Sequence, residues 1–274
     1  MTGLNFAERA ILDERLHRLW WRNSMSFSGK LMQAYFNYAY NPVYDFTTAQ
    51  LNRYCKLQET CISKLEWKDD DEVLCVGVGT GNEVVRILQV NENVKIVGVD
   101  YSTAALRKAH KKALRLGKEI EITNMDARRL EFANSSFDKV ICLHVMDFIE
   151  EPWEVTSEIF RVLKDAGQFV ITYPSDKEGP KLGFNLLRDS IRHGRGSDKH
   201  SITTCLKFAA RLVAGPVYLP ILLRPNKRSY STVELEKMIT EVTSGDFHIE
   251  EDAVYQDLIV YGTKVTKGGK SNAS

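Results

Sequence analysis

Short apolar segments alternate with helix-forming stretches between residues 71 and 174, and this alternation constrains the fold more than any other feature. The apolar segments predict five strands, at 73–78, 95–100, 119–126, 137–145 and 168–173. Strands that alternate with helices at this spacing form βαβ units and a parallel sheet. Right-handed crossovers then favour a doubly wound α/β layout, in which ligands bind at the carboxyl ends of the strands.

The regions on either side differ from this central part. Before it, the chain is rich in helix formers and aromatic residues, and we predict helices that are interrupted at Asn41-Pro42, because proline restricts the residue before it. After it, a basic and apolar stretch precedes a predicted helix at 232–243. An antiparallel pair of strands is predicted at 247–250 and 253–265.

The overall charge and the cysteines argue against several classes of protein. A net charge of +1 gives no signal of nucleic-acid binding. The cysteines at 55, 61, 75, 142 and 205 include no Cys-x-x-Cys pair, so neither a zinc knuckle nor a thioredoxin-type motif is indicated. The first residues do not resemble a signal peptide, and no uncharged apolar run reaches the ~18–20 residues that span a bilayer. These features favour a cytoplasmic protein.

A glycine-rich turn follows the first predicted strand, in VLCVGVGTGNE at 73–83. Glycine permits positive φ angles and lets a ligand approach the backbone, and the helix that follows presents free N–H groups. The dinucleotide fingerprint requires its last glycine at position 82, where this chain has Asn82, because its third glycine is Gly81. The spacing, a weak signal on its own, therefore favours a nucleoside without a pyrophosphate.

Two acidic residues at the ends of later strands strengthen this interpretation. Asp100 ends the second predicted strand, 21 residues after Gly79, where an acid is suited to the two hydroxyls of a ribose. Asp126 follows the third predicted strand, where it could accept a hydrogen bond from an adenine amino group. The alternatives are a helix cap for Asp100 and a loop or cap acid for Asp126.

Taken together, these motifs resemble the class I S-adenosylmethionine-dependent methyltransferases, in the group that includes the ubiquinone/menaquinone C-methyltransferases. The matching stretches are VLCVGVGTGNE, VGVDYS, NMDARRLEFANSSFDKVICLHVMDFIEEPWE and EIFRVLKDAGQFVITYPS. The resemblance implies a doubly wound, seven-stranded Rossmann-like methyltransferase sheet, with S-adenosyl-L-methionine as cofactor and S-adenosyl-L-homocysteine as product. It divides the chain into an N-terminal helical lid (1–70), a cofactor-binding core (71–174), a helical insertion after the fifth strand that caps the substrate (175–230), a C-terminal helix with the last two strands (231–266) and a disordered tail (267–274).

The resemblance also implies a role for each matching residue. Asp100 binds the ribose hydroxyls, and Tyr44-Asp45, in NPVYDFTT, resembles the Tyr-Asp pair of the family's lid, which closes over the cofactor. The turn beneath the methionine part and the ribose consists of Gly77, Gly79 and Gly81. The residues beside the adenine are Tyr101, Ser102, Asp126 and Ala127. Those that flank the sulfonium are Leu143 and His144.

One position departs from the family pattern. Cys75 stands where the family usually has the Asp or Glu that helps to bind the methionyl ammonium, and a neutral thiol cannot neutralise that charge. Either Cys75 is a small buried strand residue and another group holds the ammonium, or the site is altered. Whether Glu83 reaches the same place is left open. Because of this departure, two alternatives to methyl transfer stay open: non-methylating chemistry on the same nucleoside, and a non-catalytic nucleoside-binding role.

His144 and Tyr44 are the candidate catalytic residues. Methyl transfer from a sulfonium needs a positioned acceptor and, for some acceptors, a general base. His144, at the carboxyl end of the fourth predicted strand, suits that role, with a structural histidine as the alternative. No group of His, Asp and Glu has convincing metal-ligand spacing, so no metal site is predicted.

The acceptor site is expected in the lid and the insertion. Tyrosines at 35, 38, 40 and 44 form either a packing stripe or the wall of an aromatic site. Residues 181–228 combine ten Lys or Arg with two Asp and an apolar block, which is typical of an interfacial segment, of a lid over an apolar acidic substrate, or of an ordinary helical cap. We predict a small lipophilic or aromatic acceptor, such as a quinol, polyketide or lipid-like molecule, and no nucleic-acid partner. A homodimer and a peripheral membrane contact through 181–228 are left open.

Overall fold

A computed structural model describes residues 33–48, 52–149, 151–176, 217, 229–243, 245–252 and 257–265. The strands are β1 (Glu72–Val76), β2 (Lys95–Asp100), β3 (Glu121–Asn124), β4 (Phe137–Cys142), β5 (Leu163–Pro174), β6 (Asp246–Glu251) and β7 (Asp257–Thr263). The helices are α1 (Asn41–Thr48), α2 (Asn52–Ser63), α3 (Asn82–Val90), α4 (Thr103–Arg115), α5 (Pro152–Val162) and α6 (Thr232–Val242). None of these helices has the length and apolar character needed to cross a bilayer. Most of the predicted insertion, the tail and the first 32 residues of the predicted lid lie outside the described residues.

The strands form one sheet in the order β3-β2-β1-β4-β5-β7-β6. β1 to β5 run parallel, and β7 pairs antiparallel with both β5 and β6. The strand order reverses between β1 and β4, and doubly wound sheets bind ligands at such a switch point. The predicted doubly wound sheet of seven strands, with an antiparallel pair at its end, is confirmed.

The central strand β1 is buried on both faces because helices cover both sides of the sheet. Val73 and Cys75 belong to a core that includes residues of α2, α3 and α4. Leu74 and Val76 belong to a second core, which includes residues of α5 and α6. The strand is therefore a continuous apolar run, which places the glycine turn at the centre of the carboxyl edge.

β4 and β5 are among the strands whose bounds differ from the predicted ones. β4 ends at Cys142 rather than at 145, because His144 has a φ of 57°, a left-handed conformation that does not continue a strand. Leu143 and His144 therefore lie in the loop after β4. β5 begins at Leu163, directly after α5, rather than at 168.

The predicted interruption of the helix at Asn41-Pro42 is wrong. Residues 33–48 are helical throughout, and a π-helical turn at Phe36–Tyr40 leads directly into α1. The N–H of Asn41 donates to the carbonyl of Phe36, which is the longer hydrogen bond of a π-helical turn. This wider turn accommodates Pro42, which lacks an N–H and would collide with a carbonyl inside a regular α-helix.

Candidate cofactor site and active site

The glycine turn connects β1 to α3, and each of its glycines has its own structural reason. Gly77, Gly79 and Gly81 have φ angles of 68°, 52° and 78°. A Cβ would lie 2.2 Å from Cγ2 of Val145 if added at Gly77, and 2.8 Å from Cα of Ala109 if added at Gly81. A Cβ at Gly79 would meet, among the described residues, only the Gly77 carbonyl oxygen at 3.8 Å. The outer glycines permit close packing, and Gly79 leaves room for a ligand against the backbone.

Asp100, at the end of β2, binds the glycine turn. Its Oδ2 accepts a hydrogen bond from the Gly79 N–H at 2.8 Å, and its Oδ1 accepts one from the Ser102 N–H at 2.7 Å. Burial raises the pKa of Asp100, and these two N–H groups oppose the rise. A carboxylate offers about four lone-pair sites, so capacity remains for the hydroxyls of a ribose. Ser102 caps α4, because its Oγ accepts a hydrogen bond from the Ala105 N–H. The structure therefore contradicts the alternative in which Asp100 is the helix cap.

The side chains predicted beside the adenine have different surroundings. The Ser102 hydroxyl caps α4, so an adenine at this position would contact the Ser102 backbone. The Asp126 carboxylate accepts a 2.6 Å hydrogen bond from Arg128. Burial acts to raise the pKa of Asp126, but the hydrogen bonds from Arg128 hold it below its ordinary value. Tyr101 is largely exposed, and Ala127 packs against the second core. Their contacts with an adenine stay predictions.

His144 follows β4 and is held by residues of two neighbouring strands. Its backbone N–H donates to Oγ1 of Thr172, in β5, at 2.8 Å. Its Nδ1 lies 3.2 Å from Oδ2 of Asp257, the first residue of β7. Burial acts to lower the pKa of His144, but the hydrogen bond and charge of Asp257 raise it above its ordinary value. With the proton on Nδ1 directed at Asp257, Nε2 is the basic nitrogen.

Aromatic side chains pack against His144. The ring of Tyr54, in α2, stacks on the imidazole with centroids 4.7 Å apart and planes at 24°. The hydroxyls of Tyr44 and Tyr54 share a hydrogen bond, and Nε2 of Gln58 donates to the Tyr54 hydroxyl at 3.1 Å. Tyr44 is therefore linked to His144 through Tyr54. The two catalytic candidates from the sequence belong to one cluster.

Lys112, in α4, joins the helical segment 33–48 to the glycine turn. Its Nζ donates to Oδ1 of Asp45 at 2.8 Å, to Oδ1 of Asn82 at 2.6 Å and to Oγ1 of Thr80 at 3.2 Å. The Thr80 hydroxyl also donates to Asp45. Asp45, predicted to close over the cofactor, thus ties α1 to the turn, and the segment is held against the predicted cofactor site.

Comparison with known proteins identifies the family. Residues 74–171 match a family model described as a methyltransferase domain, and this span includes the glycine turn, Asp100 and His144. An uncharacterized protein of Methanocaldococcus jannaschii, MJ1252, is 30% identical over 78% of this chain and 73% of its own length. The chain belongs to the class I S-adenosylmethionine-dependent methyltransferases. The seven-stranded sheet and the prediction from the sequence motifs agree with this assignment.

Named methyltransferases match more limited parts of the chain. A phosphatidylethanolamine N-methyltransferase of Cereibacter sphaeroides is 37% identical over 36% of this chain and 48% of its own length. The chain spans about half the length of the first curated relatives that it matches. The crystal structure of an S-adenosylmethionine-dependent methyltransferase from Aquifex aeolicus has a TM-score of 0.50 at 17% identity, over 76% of this chain and 89% of that chain. At this identity the likeness shows the fold alone.

The family and the fold imply S-adenosyl-L-methionine as the cofactor, and the residues present fit it. The open space at Gly79 lets a ligand lie against the backbone of the turn. Asp100, buried beside that glycine, retains capacity to accept hydrogen bonds from ribose hydroxyls. His144 lies at the carboxyl end of β4, where the family resemblance places the sulfonium. These residues would hold the adenosine and the reacting end of the cofactor.

The position that is usually acidic in this family has no charge in this chain. Cys75 is completely buried, and burial raises the pKa of its thiol well above the ordinary value, with the charge of Glu83 adding to the rise. The thiol is therefore neutral at physiological pH. Glu83 is also buried, and it lies in the first turn of α3, directly after the glycine turn. The chain therefore has a buried acid directly after the turn that the uncharged Cys75 precedes.

Asp257, Tyr54 and Lys112 are among the residues of this site that the sequence analysis missed. For Asp257 there was a usable signal, because an acid at the start of the apolar segment DLIVYG is an unusual choice in a buried strand. Tyr54 and Lys112 belong to helices with many aromatic or basic residues, and nothing in the local pattern distinguishes them. Their roles follow only from the packing of α2 and α4 around the turn.

Proposed function

We propose that this protein transfers a methyl group from S-adenosyl-L-methionine to a small lipophilic or aromatic acceptor, with His144 as the general base. The observation that carries the proposal is the placement of His144. It is fixed by Thr172 and Asp257, and the next residue, Val145, packs directly against Gly77 of the glycine turn. The basic side chain is thereby adjacent to the part of the sheet that the family uses for the cofactor.

A continuous series of aromatic contacts supports an aromatic or lipophilic acceptor. Neighbouring rings in the series lie 4.7 to 6.2 Å apart, in the order His144, Tyr54, Tyr44, Tyr40, Phe36 and Phe148. Such surfaces favour flat or apolar ligands. Tyr38, which was part of the predicted stripe, is 83% exposed and outside the series. The name of the Cereibacter relative, phosphatidylethanolamine N-methyltransferase, also points to a lipid-like acceptor. The membrane contact through 181–228 and the homodimer stay predictions from the sequence.

The residues around His144 suit proton removal from an acceptor. S-adenosyl-L-methionine, when bound, supplies an electrophilic methyl group. His144 Nε2 would accept the proton of an acceptor hydroxyl or amine, and Asp257 would stabilise the resulting imidazolium. Tyr54, stacked on the ring, keeps the imidazole in place and limits its contact with water. The chain thus contributes orientation and a base.

Incubation with S-adenosyl-L-methionine and a panel of acceptors tests this proposal. The panel contains hydroquinones, phenols and phosphatidylethanolamine, and mass spectrometry measures both methylated product and S-adenosyl-L-homocysteine. We expect a product with one added methyl group from at least one of these classes, formed in equal amount with S-adenosyl-L-homocysteine. The same incubation with Asp100→Ala protein is the control, because that variant lacks the predicted ribose ligand. Binding of S-adenosyl-L-homocysteine without methylation of any of these classes would contradict the proposal.

A further inference from the structure

Glu83 is a buried carboxyl group in the middle of the site, and the proposed chemistry does not use it. It lies in the first turn of α3, directly after the glycine turn, and only 8% of its surface is exposed. Its own backbone N–H acts to lower the pKa of the carboxyl. Within the part of the chain that the structure describes, it forms no ion pair. An ionised carboxylate that is buried without a cationic partner is costly, so a partner supplied by a ligand would offset that cost.

Glu83 follows the glycine turn at the carboxyl end of β1, and its charge interacts with residues on several strands. Its charge raises the pKa of Cys75 in β1 and of Cys142 in β4. Its own pKa responds to Asp100, at the end of β2, and to His144, after β4. Geometry supports this placement: Asp100 accepts a hydrogen bond from Gly79 in the turn that precedes Glu83, and Val145, the residue after His144, packs against Gly77 of the same turn. The family resemblance places the methionine part of the cofactor over this turn.

Among the described residues, Lys112 is the cation on a neighbouring helix that acts on Glu83. Its ammonium already binds other groups. Lys112 lowers the pKa of Glu83, but its ammonium donates hydrogen bonds to Asp45, Asn82 and Thr80. Burial dominates and raises the pKa of Glu83 to about 7, with Asp100 adding to the rise. In the free protein the carboxyl is thus protonated for a large fraction of the time near neutral pH.

We infer that Glu83 binds the methionyl ammonium of S-adenosyl-L-methionine in this chain, in place of the acid that position 75 lacks. Two observations on different elements lead to this assignment: a neutral, buried thiol on β1, just before the glycine turn, and a buried carboxyl in the first turn of α3, just after it. The inference rests on the cofactor site of the proposed function. It assigns the amino-acid end of the cofactor to the start of α3 rather than to β1.

Calorimetry with two ligands tests the assignment. S-adenosyl-L-homocysteine carries the amino-acid end, whereas 5′-methylthioadenosine has the same nucleoside and thioether without it. Glu83→Gln is expected to weaken binding of S-adenosyl-L-homocysteine by roughly tenfold to a hundredfold, the range for a lost hydrogen bond to a charged group. Binding of 5′-methylthioadenosine should stay unchanged. Glu241→Gln, an exposed acid in α6, is the matched control and should alter neither affinity.

Proton release gives a second measurement that does not depend on the variant's affinity. At a pH of about 6, Glu83 is mostly protonated in the free protein, and an ammonium beside it favours the carboxylate, so binding of S-adenosyl-L-homocysteine should release up to about one proton. The release should disappear well above pH 7, and it should be absent for 5′-methylthioadenosine. Titrations in buffers with different ionisation enthalpies measure it.

The outcomes separate this inference from the proposed function. Unchanged affinity of Glu83→Gln for S-adenosyl-L-homocysteine would overturn the inference and leave the proposed function standing. An equal loss for both ligands would also overturn it, because the carboxyl would then act on the whole pocket rather than on the amino-acid end. Failure of the native protein to bind S-adenosyl-L-homocysteine would instead count against the cofactor site itself.

Discussion

Replacing His144 with alanine is expected to lower the rate of methyl transfer by roughly 10²- to 10⁴-fold, the range for the loss of a positioned general base. Binding of S-adenosyl-L-homocysteine should persist, because Asp100 and the glycine turn are untouched. The rate is measured by mass spectrometry with the acceptor that the panel identifies, and binding by calorimetry. His248→Ala is the control, since this histidine lies in β6 and its ring packs on Tyr261, outside the site.

Asp257→Asn separates a base from a merely structural histidine. The hydrogen bond and charge of Asp257 raise the pKa of His144, so the amide should lower that pKa. The rate of a base-catalysed reaction rises with pH as the imidazole loses its proton. The rising part of the pH–rate profile should therefore lie at lower pH in the variant. The maximum rate should also fall, because a weaker base removes the proton less readily. Full activity of His144→Ala would contradict the proposed role. So would a rise of the rate at the same pH in Asp257→Asn as in the native protein.

Gly81→Ala is expected to destabilise the fold by about 2–5 kcal/mol. A left-handed φ costs a residue other than glycine ~1–2 kcal/mol, and overpacking of a core costs ~1–3 kcal/mol more. Both apply at Gly81, where φ is 78° and an added Cβ would lie 2.8 Å from the backbone of Ala109. Gly79→Ala carries only the cost of its φ, because its Cβ would point into open space. Thermal unfolding should therefore rank Gly81→Ala as the less stable variant.

Ligand affinity should rank the same two variants in the opposite order, with the larger loss in Gly79→Ala. A methyl group in that open space would occupy the place of the ligand. Gly79→Ala should therefore bind S-adenosyl-L-homocysteine more weakly, in addition to its small loss of stability. Gly117→Ala is the matched control: its φ is 71°, nothing among the described residues lies within 4 Å of the added Cβ, and it follows α4 outside the turn. It should lose stability like Gly79→Ala and keep full affinity. Equal melting temperatures for Gly81→Ala and Gly117→Ala would contradict the packing argument.

The central fold was predictable because its signals are local. Buried parallel strands are continuous apolar runs, and the helices between them are periodic, so five strands and their order of appearance follow from residues 71–174. The errors arose where a single backbone conformation decides the outcome. The left-handed φ of His144 shortened β4, and a π-helical turn carried the helix across Pro42.

The site was predictable only where its residues follow strands in a fixed spacing. Asp100 reaches Gly79 because β1 and β2 are adjacent and parallel, which the motif spacing already encodes. Asp257 reaches His144 only because β7 lies beside β5 in antiparallel register, with Asp257 opposite Pro174. Tyr54 depends on the packing of α2 across the same edge. No local pattern specifies such long-range contacts, and the sequence alone does not show that Glu83 is buried at the start of α3.

Calorimetric titration of the native protein with S-adenosyl-L-homocysteine tests whether the carboxyl edge between β1 and β4 is an S-adenosylmethionine site. We expect saturable binding at one site per chain, a large loss of affinity in Asp100→Ala, and much weaker binding of a nicotinamide dinucleotide. Absence of binding for both S-adenosyl-L-methionine and S-adenosyl-L-homocysteine, or tighter binding of the dinucleotide, would contradict this assignment.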